Sequence, residues 1–394
     1  MRIVFVTSRF PYPVEKGDKL RAFHQIRMLS VHHEIHLVSI SHHTIAPEHL
    51  NAMAPYCKTI KVFQIHNWLL PLQLVLGWIE GLPLQVSYFL DRTIKRKVQY
   101  HIIHLEPDHV ICQLIRASSY VRALPFPKTL DYMDVFSEGM FQLAKKYHPF
   151  GFIFRWEAMR LAAFERTIYK DFDKHTIISR QDRDRLRLAT HDQIRVIPNG
   201  VDPDFKPINS NSSPSHDLVF VGNLGYGPNT SAAQYLVRKL MPELESRGLV
   251  VKLLLAGARP GRKIEQLKNR KGVTVRGWVE DIRDAYADGR IFVAPMFSGL
   301  GLQNKILEAM AMGLPCVTTS MVNNAIGASI NKEIFVADTL EGLADHVQRL
   351  LKDENEYNRV AAAARDFVLS NYQWEDQVEK LETFISSKNV YADK

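Results

Sequence analysis

Short apolar runs alternate with amphipathic stretches along almost the whole chain. The runs at 2–7, 34–39, 59–63, 108–112, 174–178 and 194–197 read as strands. A further run ends in TLD at Asp131. Between them, residues 17–31 and 154–171 repeat apolar side chains at helical spacing. A polar interruption, PINSNSSPSH at 207–216, breaks the pattern. It then resumes with runs at 218–221, 250–256, 273–275, 291–294, 315–319 and 334–336. Strands alternating with helices predict parallel sheets in an α/β, doubly wound architecture. At 394 residues the chain is long for one core and comfortable for two. No repeat of 20–50 residues is visible.

The densest local signal is APMFSGLGLQNKILEAMAMGLPCVTTS, residues 294–320. It reads as strand end, glycine loop around Gly299 and Gly301, helix, tight turn at Gly313-Leu314-Pro315, and strand. A glycine loop feeding a helix N-terminus offers backbone N–H groups and the positive end of a dipole to an anion. Lys305 and Glu308 follow within one turn of each other, so a cation and a carboxylate flank the cradle.

This stretch resembles the nucleotide-sugar signature of retaining glycosyltransferases with the GT-B fold, in glycosyltransferase family 4. That resemblance implies two Rossmann-like doubly wound domains facing across a cleft. It also implies that Gly299, Leu300, Gly301, Leu302 and Lys305 meet a donor diphosphate while Glu308 holds the ribose hydroxyls. Leu300 stands where the commonest form of the signature has another glutamate. The stretch VIPNGVDPDFKP resembles the interdomain crossing of such enzymes. It divides the chain into residues 1–198, joined by a C-terminal helix over 373–394, and residues 199–372. The first part is expected to bind acceptor and the second to bind donor.

Further segments extend the likeness. The RFPYP…KGDK…R…H pattern of residues 9–24 resembles a narrower group, the sugar transferases associated with exosortase/PEP-CTERM exopolysaccharide systems. By the same anion-cradle argument Gly17, opening a helix after a proline-rich loop, is a candidate to sit close to a ligand across the cleft, with an ordinary βα turn also open. Asp131 and Asp134 share that group's Asp-x-x-Asp-x-x-Ser spacing, and orienting an acceptor hydroxyl or capping the next helix are both open to them. Arg116, at a strand exit, is a candidate for an anionic or hydroxyl-rich ligand, whereas His109 reads as a core histidine. Ser179 reads as a helix cap. In DLVFVGNLGYGPNTSAAQYL, Gly222 ends a strand, Asn223, Gly225 and Gly227 form a loop, and Asn229 or Thr230 starts the helix. Many relatives carry an Arg and a Lys where Asn223 and Asn229 stand. Gly257 ends another strand, with Arg259 as an added cation. The segment containing Trp278 and Val279 resembles the one that surrounds the nucleotide base, although core packing of Trp278 is equally open. Past Ser320, VNNAIGAS reads as a loop.

Charge and composition narrow the partners. Net charge is +8, but residues 1–198 carry +9 and the remainder −1. A basic half beside a neutral half predicts an anionic partner for the first half only. No nucleic-acid motif is present, so a lipid-phosphate carrier or an anionic membrane surface fits better. The segment 67–89, NWLLPLQLVLGWIEGLPLQVSYF, is the most apolar. Pro71, Gly77, Glu80 and Pro83 interrupt it before the ~20 residues a spanning helix needs. Buried packing and interfacial exposure of Trp68 and Trp78 both remain open, with exposure slightly favoured. Cys57, Cys112 and Cys316 lack metal spacing and read as reduced thiols of a cytoplasmic protein, with peripheral contact at the inner membrane face. No metal or cofactor is expected.

The expected activity is retaining transfer from a UDP- or GDP-linked sugar to a glycan or lipid-linked acceptor, with Lys305, Glu308, Arg116 and Asp131 as candidate catalytic groups. The acceptor context expected is bacterial surface polysaccharide or glycoconjugate synthesis. Two alternatives stay open: another GT-B enzyme, such as a nucleotide-sugar epimerase or a phosphorylase, and a non-catalytic scaffold of the same fold.

Overall fold

A computed structural model describes residues 1–147, 149–186, 188, 193–207, 214–299 and 301–387. The chain forms two compact units, Met1–Asn199 with the segment from Trp374 onward, and Gly200–Gln373.

The first unit is built on seven strands, all paired in parallel. They are β1 (Arg2–Thr7), β2 (Glu34–Ser41), β3 (Thr59–Gln64), β4 (His109–Gln113), β5 (Lys128–Asp131), β6 (Lys174–Ile177) and β7 (Arg195–Val196). Their order is β3-β2-β1-β4-β5-β6-β7. In register, Phe5 lies opposite Leu37 on one side and Ile111 on the other. β1 is apolar and buried from Ile3 to Val6 because both of its faces are covered. Val4 and Val6 join a core with Val38, Tyr120 and Leu161, while Ile3 and Phe5 join another with Ile26, Leu29, Trp374 and Leu381. The C-terminal helix Trp374–Ser386 thus completes the first unit's second core. The Trp374 indole stacks on the His24 ring at 4.5 Å. Lys174 Nζ donates to the carbonyls of Phe384 (2.6 Å) and Ile385 (3.1 Å), satisfying the negative end of that helix.

The second unit carries β8 (His216–Val221), β9 (Leu253–Ala256), β10 (Val273–Arg276), β11 (Gly289–Ala294), β12 (Cys316–Thr318) and β13 (Phe335–Val336), again all parallel. The order β10-β9-β8-β11-β12-β13 reverses direction between β8 and β11. At such a switch point the loops after neighbouring strands diverge, leaving a crevice at the carboxyl ends. The loop after β8 begins at Gly222, and the loop after β11 carries Gly299 and Gly301.

Two local expectations are corrected. The VNNAIGAS loop is instead largely helical, over Ser320–Ile326. Asp338 accepts from the Ser320 N–H and hydroxyl at its start, and Gly327 at φ +76° ends it. The helix after β8 starts at Gly227 rather than Asn229, because Pro228 at its second position needs no N–H partner. In the 67–89 segment the longest helix is Leu70–Ile79, with Pro71 in its first turn and Glu80 and Pro83 beyond its end, well short of a spanning length. Among the described residues no helix is long and apolar enough to cross a membrane.

At the end of β5 a buried ion pair closes the first unit's sheet. Arg21 Nε and Nη2 donate to Asp131 Oδ2 (2.6 Å) and Oδ1 (3.1 Å), and Thr176 Oγ1 donates to Oδ1 (2.9 Å). The remaining Arg21 Nη1 donates to Asn199 Oδ1 at 3.0 Å. Both side chains are shut off from solvent. Removing one charge leaves the other buried and uncompensated, so Asp131→Asn should cost about 3–5 kcal/mol of stability. Urea unfolding of the variant against wild type measures this, and a loss under ~1 kcal/mol would show that the pair contributes little.

Candidate active site

The second unit gathers the glycine loops, Lys305 and Glu308 at the β8/β11 switch point. β8 delivers Gly222 at φ +156°. A Cβ there would lie 2.9 Å from Asn229 Nδ2 and 3.2 Å from Lys305 Nζ, so the missing side chain is what admits the lysine. Gly257, after β9, is tighter still, since its Cβ would fall 1.9 Å from the Gly222 carbonyl oxygen. The two loops therefore pass backbone to backbone, joined by Leu224 N–H donating to Ala258 O at 2.8 Å.

Lys305 projects from the first turn of the helix Asn304–Ala311. Its Nζ donates to Asn229 Oδ1, lies 3.6 Å from Met296 Sδ, and sits 5.0 Å from the Phe220 ring centroid. Asn229 Nδ2 in turn donates to Asn223 O (2.9 Å), and Asn223 Oδ1 accepts from Gly225 N–H (3.0 Å). Asn223 and Asn229 thus organise the loop and hold the lysine in place. Burial pushes the Lys305 ammonium down to about 7, only partly offset by the nearby Glu308 charge. Glu308, one turn along, accepts from the Tyr286 hydroxyl at Oε2 (2.7 Å). Burial raises its carboxyl above the ordinary range, against the opposing effects of the Tyr286 hydrogen bond and Lys305. A cation inclined to lose its proton and an acid inclined to keep one share a single helical turn.

The other donor-side candidates fall around this centre. Gly299 (φ +140°) and Gly301 (φ +72°) lie in the loop ahead of the helix, and Leu302 is buried beyond them. Leu300 lies outside the described residues. Arg259, at φ +57°, exposes its side chain, while its carbonyl would meet a Cβ on Gly225 at 2.9 Å. Gly257 N–H donates to Gly277 O (3.2 Å), which brings the Trp278–Val279 loop alongside. Trp278 is 69% exposed, so core packing does not explain it. Phe220, Met296 and Tyr286 are components that sequence reasoning missed. Phe220 read only as a strand residue, Met296 only as part of the strand end before the glycine loop, and Tyr286 was singled out by no motif.

Gly17, Arg116 and Asp131 belong to the first unit. Gly17 opens the helix Gly17–Leu29 with open space where a side chain would be. Arg116 donates to Gln85 Oε1 (3.2 Å) and packs its guanidinium over Phe136 (4.5 Å) and Phe89 (5.2 Å), and burial lowers it to about 10. Asp131 neither caps the next helix nor presents a carboxylate to solvent, because Arg21 and Thr176 occupy it. That corrects its assignment as a candidate catalytic group. Asp134, partly exposed nearby, is the more accessible acid. Burial and the neighbouring Asp182 and Asp18 charges raise its carboxyl to about 7. His109 is buried against Thr129, lowered to about 4 by burial, as a core histidine should be.

Known proteins resemble this chain in sequence and fold. Residues 215–353, most of the second unit, match the family described as Glycosyl transferases group 1. Over almost its whole length, 94% of this chain and 96% of the relative, the protein is 23% identical to an "uncharacterized 44.6 kDa protein in cps region" of Klebsiella pneumoniae. Among solved structures it resembles sucrose-phosphate synthase from Thermosynechococcus elongatus, with a TM-score of 0.71 at 15% identity over 98% of each chain. It also resembles Anabaena Alr3699/HepE, solved in complex with UDP and glucose, with a TM-score of 0.69 at 14% identity over 98% and 100% of the two chains. The chain has the GT-B fold, and within its second unit residues 215–353 match the glycosyl transferases group 1 model.

The lowered Lys305 gives a pH signature. A diphosphate beside it would favour the ammonium, so its pKa should rise from about 7 on binding. Binding at pH 8 should then take up protons, and affinity should fall as pH rises above 7. Calorimetry of UDP and GDP at pH 8, in buffers of different ionisation enthalpy, reads this directly. Buffer-independent heats would remove Lys305 from the anion's surroundings.

Proposed function

We propose that the protein is a retaining glycosyltransferase that moves a sugar from a UDP- or GDP-linked donor to a glycan or lipid-linked acceptor in polysaccharide synthesis. The observation that carries this reading is the Lys305–Glu308 turn, set at the β8/β11 switch point behind two glycine loops, within a glycosyltransferase group 1 domain. The "cps region" origin of the Klebsiella relative supports the polysaccharide setting, and the UDP bound to the Anabaena protein supports a nucleotide donor.

On this reading Lys305 and the Gly299–Leu302 loop bind the diphosphate, and Glu308 accepts from the ribose hydroxyls. The bond from the anomeric carbon to the phosphate oxygen breaks while the acceptor oxygen bonds that carbon on the same face. The acceptor proton passes to the departing phosphate oxygen. Negative charge on the diphosphate grows as the bond breaks, so a preorganised Lys305 lowers the barrier more than it tightens ground-state binding.

Lys305→Ala should reduce kcat by ~100-fold or more with a smaller change in donor affinity. Steady-state kinetics decide it, and a near-normal kcat with only KM raised would leave Lys305 a mere donor-binding group. The anomeric configuration of the product, read by NMR, tests retention. Release of an epimer or a sugar 1-phosphate without transfer would instead favour the epimerase or phosphorylase reading.

The acceptor side fits work at an anionic bilayer. The helix Leu70–Ile79, preceded by Trp68, exposes Leu72, Val75, Trp78 and Ile79. The helix Gly151–Tyr169 exposes Phe152, Ile153 and Met159. Arg160 joins them, donating to the Trp78 carbonyl (3.3 Å) while its guanidinium lies over the Trp156 ring (4.5 Å). Alongside, the helix Arg92–Leu105 begins with Arg92, Lys95, Arg96 and Lys97, and Arg92 pairs with Glu80 at the end of the apolar helix. Aromatic insertion beside basic side chains suits an anionic membrane surface. The protein should therefore float with anionic vesicles at low salt and release at high salt. Trp68→Glu/Trp78→Glu should abolish flotation, and equal flotation on neutral vesicles would count against the proposal.

A further inference from the structure

The Glu308 carboxylate is held from outside its own helix. Tyr286, on the helix Ile282–Ala287, is wholly buried, its ring packed against Phe292 (centroids 5.7 Å) and Phe205 (6.1 Å). Its single hydroxyl proton faces two acceptors, Glu308 Oε2 at 2.7 Å and the Lys305 carbonyl at 3.2 Å. The shorter, charged partner takes it. Among the described residues nothing donates to Oε1. We infer that Tyr286 is a positioning residue of the site: its buried hydroxyl fixes the Glu308 rotamer by occupying Oε2 and leaves Oε1 to accept from a ribose hydroxyl of the donor.

This inference rests on the reading of Glu308 as the ribose ligand. Its physical basis is that a glutamate has three rotatable bonds, and an unheld one must be ordered at each binding event. Holding it beforehand removes that cost. The hydroxyl also opposes the burial that raises the Glu308 carboxyl. The other groups facing the pair are Lys305, on the same helix, and Cys316 of β12, whose thiol burial keeps neutral.

Tyr286→Phe keeps the ring and its packing and removes only the donor. Calorimetric titration of the protein with UDP and GDP between pH 5 and 8 reads the result. The variant should bind about ten-fold more weakly at the acid end, because its carboxyl rises further and is lost as an acceptor at higher pH. Affinity should recover toward wild type as pH increases. Glu308→Gln should bind weakly without that acid limb, and adding Tyr286→Phe to it should change affinity by less than about three-fold, since the two act through one contact. An unshifted limb in Tyr286→Phe, or a loss that is constant with pH and additive to Glu308→Gln, overturns the inference while leaving Glu308 in place. Unchanged binding in Glu308→Gln, or no nucleotide binding by wild type, overturns the underlying reading and this inference together. Should the phenylalanine variant not fold, 3-fluorotyrosine installed at 286, a stronger donor of the same shape, must move the acid limb to lower pH.

Discussion

The absence of a side chain at Gly222 is the constraint on which the second unit's site depends. Its backbone is where three things meet: the end of the central strand β8, the neighbouring loop at Gly257, and the Lys305 ammonium. A Cβ at either glycine would collide with backbone or with the Asn229–Lys305 contact. Any larger residue would push the lysine away from the strand ends or part the two loops. The doubly wound order brings β8 and β11 side by side, and the glycines let their loops close around one cation.

The chemistry of that cation follows from how it is held. Lys305 has an amide, a thioether and an aromatic face as near neighbours, so among the described residues no anion in direct contact balances its charge, and burial lowers its pKa to about 7. Glu308 is shifted in the opposite sense by the same burial and is steadied by a phenol. A charged ligand offering both a diphosphate and vicinal hydroxyls would satisfy the two at once. Asn223 and Asn229 suit this arrangement, since amides can order a loop without repelling a lysine.

The first unit is organised differently. Its interior charges are committed to structure. Arg21 and Asp131 neutralise each other in the interior, and Arg116 is wedged between two phenylalanine rings. The exposed features are instead an aromatic band and a basic helix beside it. The strong positive charge of residues 1–198 is therefore a property of the surface, where an anionic partner can reach it.

The sequence by itself determined the strand runs, the parallel α/β class, the glycine loops and the Lys305–Glu308 pair, because each rests on local periodicity or on spacing within one turn. Ser179 capping its helix through Asp182 N–H is of the same kind. Tertiary structure decided whatever depended on a partner far along the chain. Asp131 reads as a free acid until Arg21, 110 residues earlier, is seen to take it. Tyr286 reads as an ordinary helical residue until Glu308, 22 residues on, is found at its hydroxyl. Trp278 fits a core or a surface equally well in sequence, and only folding placed it outside. The VNNAI stretch reads as a loop from its asparagines, yet Asp338 from a distant segment starts it as a helix. Local spacing sets which groups can be neighbours within an element. Which of them remain available for chemistry is set by packing between elements, where a buried charge must find its partner wherever the fold supplies one.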